Sequence, residues 1–244
     1  ARQVLAACEY GGDKGIFGFG NAGSGATNLV SNAGVVGDDV TGVGTDRDSL
    51  AACSYGSDKG IFGFGNAGGY VSMTNLVSNV GVVATDVTGV GTARRYLSAC
   101  EYGGDKAIFG FGYTGSNTAV TNLVSNAGVV ATDTTGVGTA RRSLAACDYG
   151  GDKGIFGFGY IAPNQNITNL VSNAGVVSTD VTGVGTARES LSATQYGKDK
   201  GIFGFGYVSS SVSMTNLVSN AGVVATDVTG VGTIRYGAAA CSFN

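Results

Sequence analysis

Charged side chains return at fixed places along this chain, and two of the recurring sets are of types that could do chemistry. An Asp-Lys pair occurs as Asp13/Lys14, Asp58/Lys59, Asp105/Lys106, Asp152/Lys153 and Asp199/Lys200, each inside a glycine-rich phrase of the form GGDKGIFGFG. Glycines beside a lysine would suit a phosphate loop, in which backbone N–H groups and a helix N-terminus cradle the anion. Here the glycines fall around and inside an aromatic, strand-like run with no helical pattern behind it. The phrase therefore reads as a hairpin turn feeding a close-packed strand. The Asp carboxylate accepts from nearby backbone N–H groups, and the Lys is a solvated charge.

The second set is Arg2, Arg47, Arg94, Arg141, Arg188 and Arg235, with Asp39, Asp86, Asp133, Asp180 and Asp227 further along each unit. A guanidinium is a rigid fork suited to carboxylates and carbonyls. Because an unpaired buried charge is costly, the expected role is structural, bracing one unit to the next. The alternative is an anion-binding ring of guanidinium groups at one mouth of a channel.

Other chemistry has little to work with. Histidine is absent, which removes the commonest general base and transition-metal ligand. No nucleophile–base pair and no cluster of metal-ligating residues stands out, so neither catalysis nor a cofactor nor a metal is expected. Cys8, Cys53, Cys100, Cys147 and Cys241 come one per repeat, with Thr194 in the fifth copy, and read as small buried thiols. A net charge of −3 offers no basic footprint for nucleic acid. No apolar run approaches the ~20 residues of a membrane helix.

The elements that position these residues follow from an internal repeat. Units span 1–45, 46–92, 93–139, 140–186 and 187–233, and a partial first-strand copy occupies 234–244. Each unit holds four strand-like runs, as in RRSLAAC, KGIFGFG, ITNLVSN and VVSTDVTGVG, bounded by Gly, Asn, Asp or Ser. The pattern predicts an all-β, five-bladed β-propeller in a single domain, with four antiparallel strands per blade and a ring closed by terminal segments. The first run offers one leucine and then Ala, Ser, Cys or Thr, the taper expected of an innermost strand.

The stretch ARRSLAACDYGGDKGIFGFG resembles the kelch repeat: an Arg, a small-residue strand, a turn, then an aromatic strand ending in glycines, here split as Gly-Phe-Gly. TNLVSNAG is similar to the kelch third strand and its turn, while the fourth-strand tryptophan of that family has no counterpart. Glycine-rich repeats of this kind also resemble those of phage and bacterial surface proteins, and the blade number and repeat length are similar to tachylectin-like lectins. The resemblance implies that the loop after each second strand and the connection between units share a partner-binding face.

That loop is where the copies differ: NAGSGA, NAGGYVSM, YTGSNTAV, YIAPNQNI and YVSSSVSM. Variable polar loops with aromatics on a rigid scaffold suit recognition. The candidate ligand-binding residues are Asn21, Asn66, Tyr70, Tyr113, Asn117, Tyr160, Asn164, Tyr207 and Ser210. The expected function is non-catalytic recognition of a glycan or protein surface within a virion or cell-surface assembly, and hence an extracellular or virion location. The rivals are an intracellular kelch-type adaptor and a scaffold without ligand.

Overall fold

The computed structural model describes residues 2–21 and 25–242. It is all-β, with no helix among the described residues and fifteen strands in five three-stranded antiparallel sheets. The first sheet is β1 (Ala6–Tyr10), β2 (Lys14–Gly18) and β3 (Thr27–Val30). The second is β4 (Ala51–Tyr55), β5 (Lys59–Asn66) and β6 (Tyr70–Val77), and the third is β7 (Ser98–Tyr102), β8 (Lys106–Gly110) and β9 (Thr121–Val124). β10 (Ala145–Tyr149), β11 (Lys153–Gly157) and β12 (Thr168–Val171) form the fourth; β13 (Ser192–Tyr196), β14 (Lys200–Gly204) and β15 (Thr215–Val218) form the fifth. Register repeats from sheet to sheet: Ala7 faces Phe17 as Ala146 faces Phe156.

The fourth run of each unit is not a strand, which corrects the expected four-stranded blade. It meets the third strand at isolated bridges, Thr27 with Val40 and Val30 with Val36 in the first unit, with one backbone bond from Gly37 N to Leu29 O between them. Three residue steps on one side therefore face four on the other, and the extra residue breaks the ladder. An asparagine side chain substitutes for the missing backbone bonds. Asn75 Nδ2 donates to Ala84 O at 3.0 Å and to Asp86 Oδ1 at 2.9 Å.

The core lies between consecutive sheets. One cluster joins Ile61 and Phe64 of the second unit to Leu97, Phe109 and Val124 of the third. The split Gly-Phe-Gly explains this packing. Its first glycine, Gly63, leaves a hole for Phe109 of the next sheet, whose ring tip lies 2.7 Å from where a Cβ would stand. The phenylalanine, Phe64, takes a left-handed φ of 63°. That turn sends its ring against Phe109, at 5.1 Å between centroids, and its carbonyl toward Arg47.

The first strands of neighbouring sheets pack side by side, β1 on β4, β4 on β7, β7 on β10 and β10 on β13. The partial copy takes a place of its own in this series. Gly237 N donates to Ser190 O at 2.8 Å, and the Cys241 thiol lies over Gly15 of the first sheet, as Cys8 lies over Gly60. Six copies of the first-strand motif consequently line one central cavity, through Cys8, Cys53, Cys100, Cys147, Thr194 and Cys241. The cysteines are free, and burial raises their thiol pKa values.

Candidate functional site

Four of the six recurring arginines, Arg47, Arg94, Arg141 and Arg188, are buried, and their partners lie within the fold. Arg47 Nε donates to Phe64 O at 2.9 Å, Nη1 to Thr45 O at 3.2 Å and Nη2 to Asn75 Oδ1 at 2.6 Å. Its guanidinium also lies over the Phe19 ring of the preceding unit at 4.3 Å. Arg94, Arg141 and Arg188 repeat the Nε and Nη1 bonds and the stacking, over Phe64, Phe111 and Phe158. The asparagine bond recurs at Arg188, while Nη2 of Arg94 and of Arg141 is buried without a hydrogen-bond partner. Burial pulls the four guanidinium pKa values down to about 10, so they stay charged at neutral pH. The link between units runs through the aspartates. Asp86, Asp133, Asp180 and Asp227 each accept from the backbone N and hydroxyl of a threonine in the preceding unit, Thr45, Thr92, Thr139 and Thr186.

The Asp-Lys pairs also stay local. Lys14 Nζ donates to Asp13 Oδ1 at 2.6 Å and Asn32 Nδ2 to Asp13 Oδ2 at 3.0 Å, tying the hairpin turn to the end of the third strand.

One end of the central cavity opens into a pocket of about 440 Å³ lined by Arg95, Tyr96, Tyr113, Arg142, Glu189 and Tyr236, among others. Its floor is a chain of backbone bonds: Ser49 N to Val4 O, Tyr96 N to Ser49 O, Ser143 N to Tyr96 O and Ser190 N to Ser143 O. Around the rim, arginines and tyrosines alternate. Arg95 lies over Tyr96 at 4.7 Å and Tyr70 at 5.3 Å; Arg142 lies over Tyr113 at 4.8 Å and Tyr160 at 4.7 Å. Asn117 Oδ1 accepts from Arg142 Nη1 at 3.2 Å and holds the guanidinium in place. Glu189 stands in the same pocket; burial raises its carboxyl pKa, with Arg142 opposing the shift.

Of the residues expected from the variable loops, Tyr113 lines this pocket, and Tyr70, Tyr160 and Asn117 contact its Arg95 or Arg142. The others do not. Asn21 and Asn66 tie their loops to the chain before the first strand, Asn21 Oδ1 accepting from Gln3 N and Asn66 bridging Asp48. Asn164 Nδ2 donates to Tyr207 O, linking neighbouring loops, and Tyr207 packs on Tyr236 at 5.4 Å. The Ser210 carbonyl closes a turn with Val208 N. Residues 22–24 of the first loop lie outside the described residues. Sequence reasoning missed Arg95, Tyr96, Arg142, Glu189 and Tyr236. The signal was the dipeptide after each recurring arginine, which reads Gln-Val, Asp-Ser, Arg-Tyr, Arg-Ser, Glu-Ser and Tyr-Gly.

The opposite end of the cavity carries the residue after each cysteine and after Thr194, where Glu9, Glu101 and Asp148 face one another with Ser54, Gln195 and Ser242. Burial, and for Glu101 the neighbouring Asp148 and Glu9, pushes Glu9 and Glu101 up to about 7 and Asp148 up to about 6. A carboxyl whose pKa is raised on folding stabilises the fold when protonated and loses that contribution as pH climbs through the folded value. Stability is therefore expected to increase as pH falls from about 8 to about 5, by on the order of 2–3 kcal/mol for the trio after solvent screening and proton sharing. Urea melts across this range check it, and Glu9→Gln, Glu101→Gln and Asp148→Asn together should flatten the slope. The opposite trend belongs at lower pH. Partial burial pushes Asp86, Asp133, Asp180 and Asp227 up, but bonds from threonine and asparagine hold them below the usual carboxylate range overall.

No family model matches this chain, and no curated protein matches it either.

Proposed function

We propose that the five sheets form a β-propeller around the central cavity and that the protein is a non-catalytic recognition module for acidic glycans. The sheet-to-sheet packing of first strands, and a C-terminal segment touching both the fifth and first sheets, support the propeller reading. The single observation that carries the ligand class is the pairing of Arg95 and Arg142 with Tyr70, Tyr96, Tyr113 and Tyr160 around one concave mouth. Two guanidinium groups suit a carboxylate, which they bind with geometric specificity. Tyrosine faces suit the apolar side of a sugar ring, and Glu189 and Ser143 supply acceptors for its hydroxyls. The pocket has the volume of a small-ligand site, roughly 300–1,000 Å³ in general. A setting in a virion or cell-surface assembly follows from the repeat resemblance.

A glycan array with uronic-acid and sialic-acid oligosaccharides beside their neutral counterparts tests this reading. Binding is expected for the acidic members. Arg142→Ala should weaken it about tenfold, the equivalent of one charge-assisted contact, and Arg95→Ala with Arg142→Ala should abolish it without moving the thermal midpoint. Equal binding of acidic and neutral oligosaccharides, or none to either, would sink the proposal.

A further inference from the structure

Each of the first four sheets is covered by the sheet that follows it. Phe62, Phe109, Phe156 and Phe203 are fully buried, their ring tips in the holes at Gly18, Gly63, Gly110 and Gly157. The turn glycines Gly81, Gly128, Gly175 and Gly222 press on Tyr10, Tyr55, Tyr102 and Tyr149, each no more than 4% exposed. Gly11, Gly56, Gly103 and Gly150 donate their backbone N–H to the aspartate carbonyl of the next hairpin, at 2.7 to 2.8 Å.

The fifth sheet carries the same fittings without the cover. The hole at Gly204 holds no ring; the nearest atom to a Cβ built there is Thr215 Cγ2 at 3.5 Å. An apolar groove of about 120 Å³ remains between Thr194, Ile202, Gly204, Phe205 and Ala240. Tyr196 is 37% exposed and Leu217 39%. Nothing stands within 4 Å of a Cβ at Gly197. Arg235 is seated over Phe205 at 4.0 Å, as its counterparts are over the equivalent rings, yet it is exposed where Arg47, Arg94, Arg141 and Arg188 are buried. Across the gap, Phe17 is only half-buried, unlike the other four phenylalanines at its position.

The inner strand position of this gap is already filled. Gly206 N donates to Arg235 O at 3.0 Å, as Gly20 N does to Arg47 O, and Ala238 O accepts from Ser192 Oγ. Residues 238–242 nevertheless make no β-ladder, so their backbone edge is open to a strand. An adjacent Phe-Gly pair is the needed complement: its Phe enters the hole at Gly204 and its Gly receives Phe17. We infer that this gap is a docking site for a β-hairpin of the repeat's own chemistry, a strand carrying Ile-Phe-Gly-Phe-Gly paired with one carrying Thr-Asn-Leu-Val, supplied from outside residues 1–244. The occupant is fixed by continuity with the four filled interfaces, and it does not depend on what the cavity mouth binds.

The test uses a synthetic segment with the sequence Tyr149–Thr186, titrated into the protein and followed by calorimetry and sedimentation. An equimolar complex is expected, with the thermal midpoint raised by roughly 5 °C. Phe156→Ala in the segment, or Gly204→Val in the protein, should weaken binding at least about tenfold. Because a free segment can fail to hold a hairpin, the same sequence is also appended after Asn244. There it should raise the midpoint, and its Phe156→Ala version should not. No complex in trans together with no gain in cis overturns the inference, as does equal affinity for Gly204→Val. A protein already dimeric, with Tyr196 and Leu217 protected from solvent labelling, overturns it in favour of a second copy. Gly204→Val should leave binding of acidic oligosaccharides unchanged, so the two readings fail separately.

Discussion

Arg47→Ala is expected to destabilise the protein by roughly 4 kcal/mol, because it leaves buried acceptors unsatisfied at about 1–3 kcal/mol each. The residue is 2% exposed and its side chain serves three acceptors, the Phe64 and Thr45 carbonyls and Asn75 Oδ1. Removing it also strips the Phe19 ring of its cation. Arg47→Lys should recover less than half of the loss, since an ammonium cannot serve three acceptors spread across a planar fork. Urea denaturation with an unchanged m-value is the measurement. The informative control is a nearest-neighbour pair. Arg141 is fully buried and repeats the Nε and Nη1 bonds of Arg47, whereas Arg142, the next residue, stands at the cavity mouth over Tyr113 and Tyr160. Arg142→Ala should therefore shift stability by no more than about 0.5 kcal/mol. If Arg47→Ala and Arg142→Ala proved equally damaging, the division between buried arginines that hold the fold and the proposed binding arginines would fail.

That division was only half legible in the sequence. Strict recurrence led to Arg47 and its equivalents being read as structural, and Arg47, Arg94, Arg141 and Arg188 are buried with Nε on a repeated phenylalanine carbonyl. The bracing is of a different kind from the one expected, however. The guanidinium bonds within its own unit and only stacks on the preceding one, while the bonds between units run from Thr45 to Asp86 and its equivalents. Three of the four runs per unit became strands because alternating small and aromatic residues fit a pleated ladder. The fourth did not, because its additional residue is invisible until it is set against the third strand. Variable loops led to Tyr70, Tyr113, Asn117 and Tyr160, yet the pocket is completed by side chains that vary within an otherwise constant phrase. Arg95 and Glu189 sit beside invariant neighbours and look like ordinary surface charges in one dimension. Only the inward turn of that dipeptide toward the cavity, with Tyr96 at φ 55° and Ser190 at φ 53°, makes them neighbours.

Gly110→Val is expected to be at least as damaging as Arg47→Ala, and Gly204→Val far less, although the two glycines hold the same place in their repeats. At Gly110 a Cβ would stand 2.7 Å from Phe156 Cζ and 3.1 Å from Cε1. Phe156 is fully buried, with Phe111 at 5.2 Å between centroids, and has nowhere to swing. Overpacking of a closed core costs about 1–3 kcal/mol when neighbours can yield, and expulsion of a buried phenylalanine adds about 3 kcal/mol or more. A loss of about 4 kcal/mol or more, or failure to fold, follows. Backbone conformation is not the cause, because neither glycine has a left-handed φ. At Gly204 a Cβ would meet only Thr215 Cγ2 at 3.5 Å, an ordinary contact, and the groove of about 120 Å³ beside it leaves room for the methyl groups, so a change within about 0.5 kcal/mol is expected. The ratio between these two variants measures directly whether a following sheet covers each position. Equal destabilisation at both sites, in the protein alone, would mean that the fifth sheet is already covered in solution.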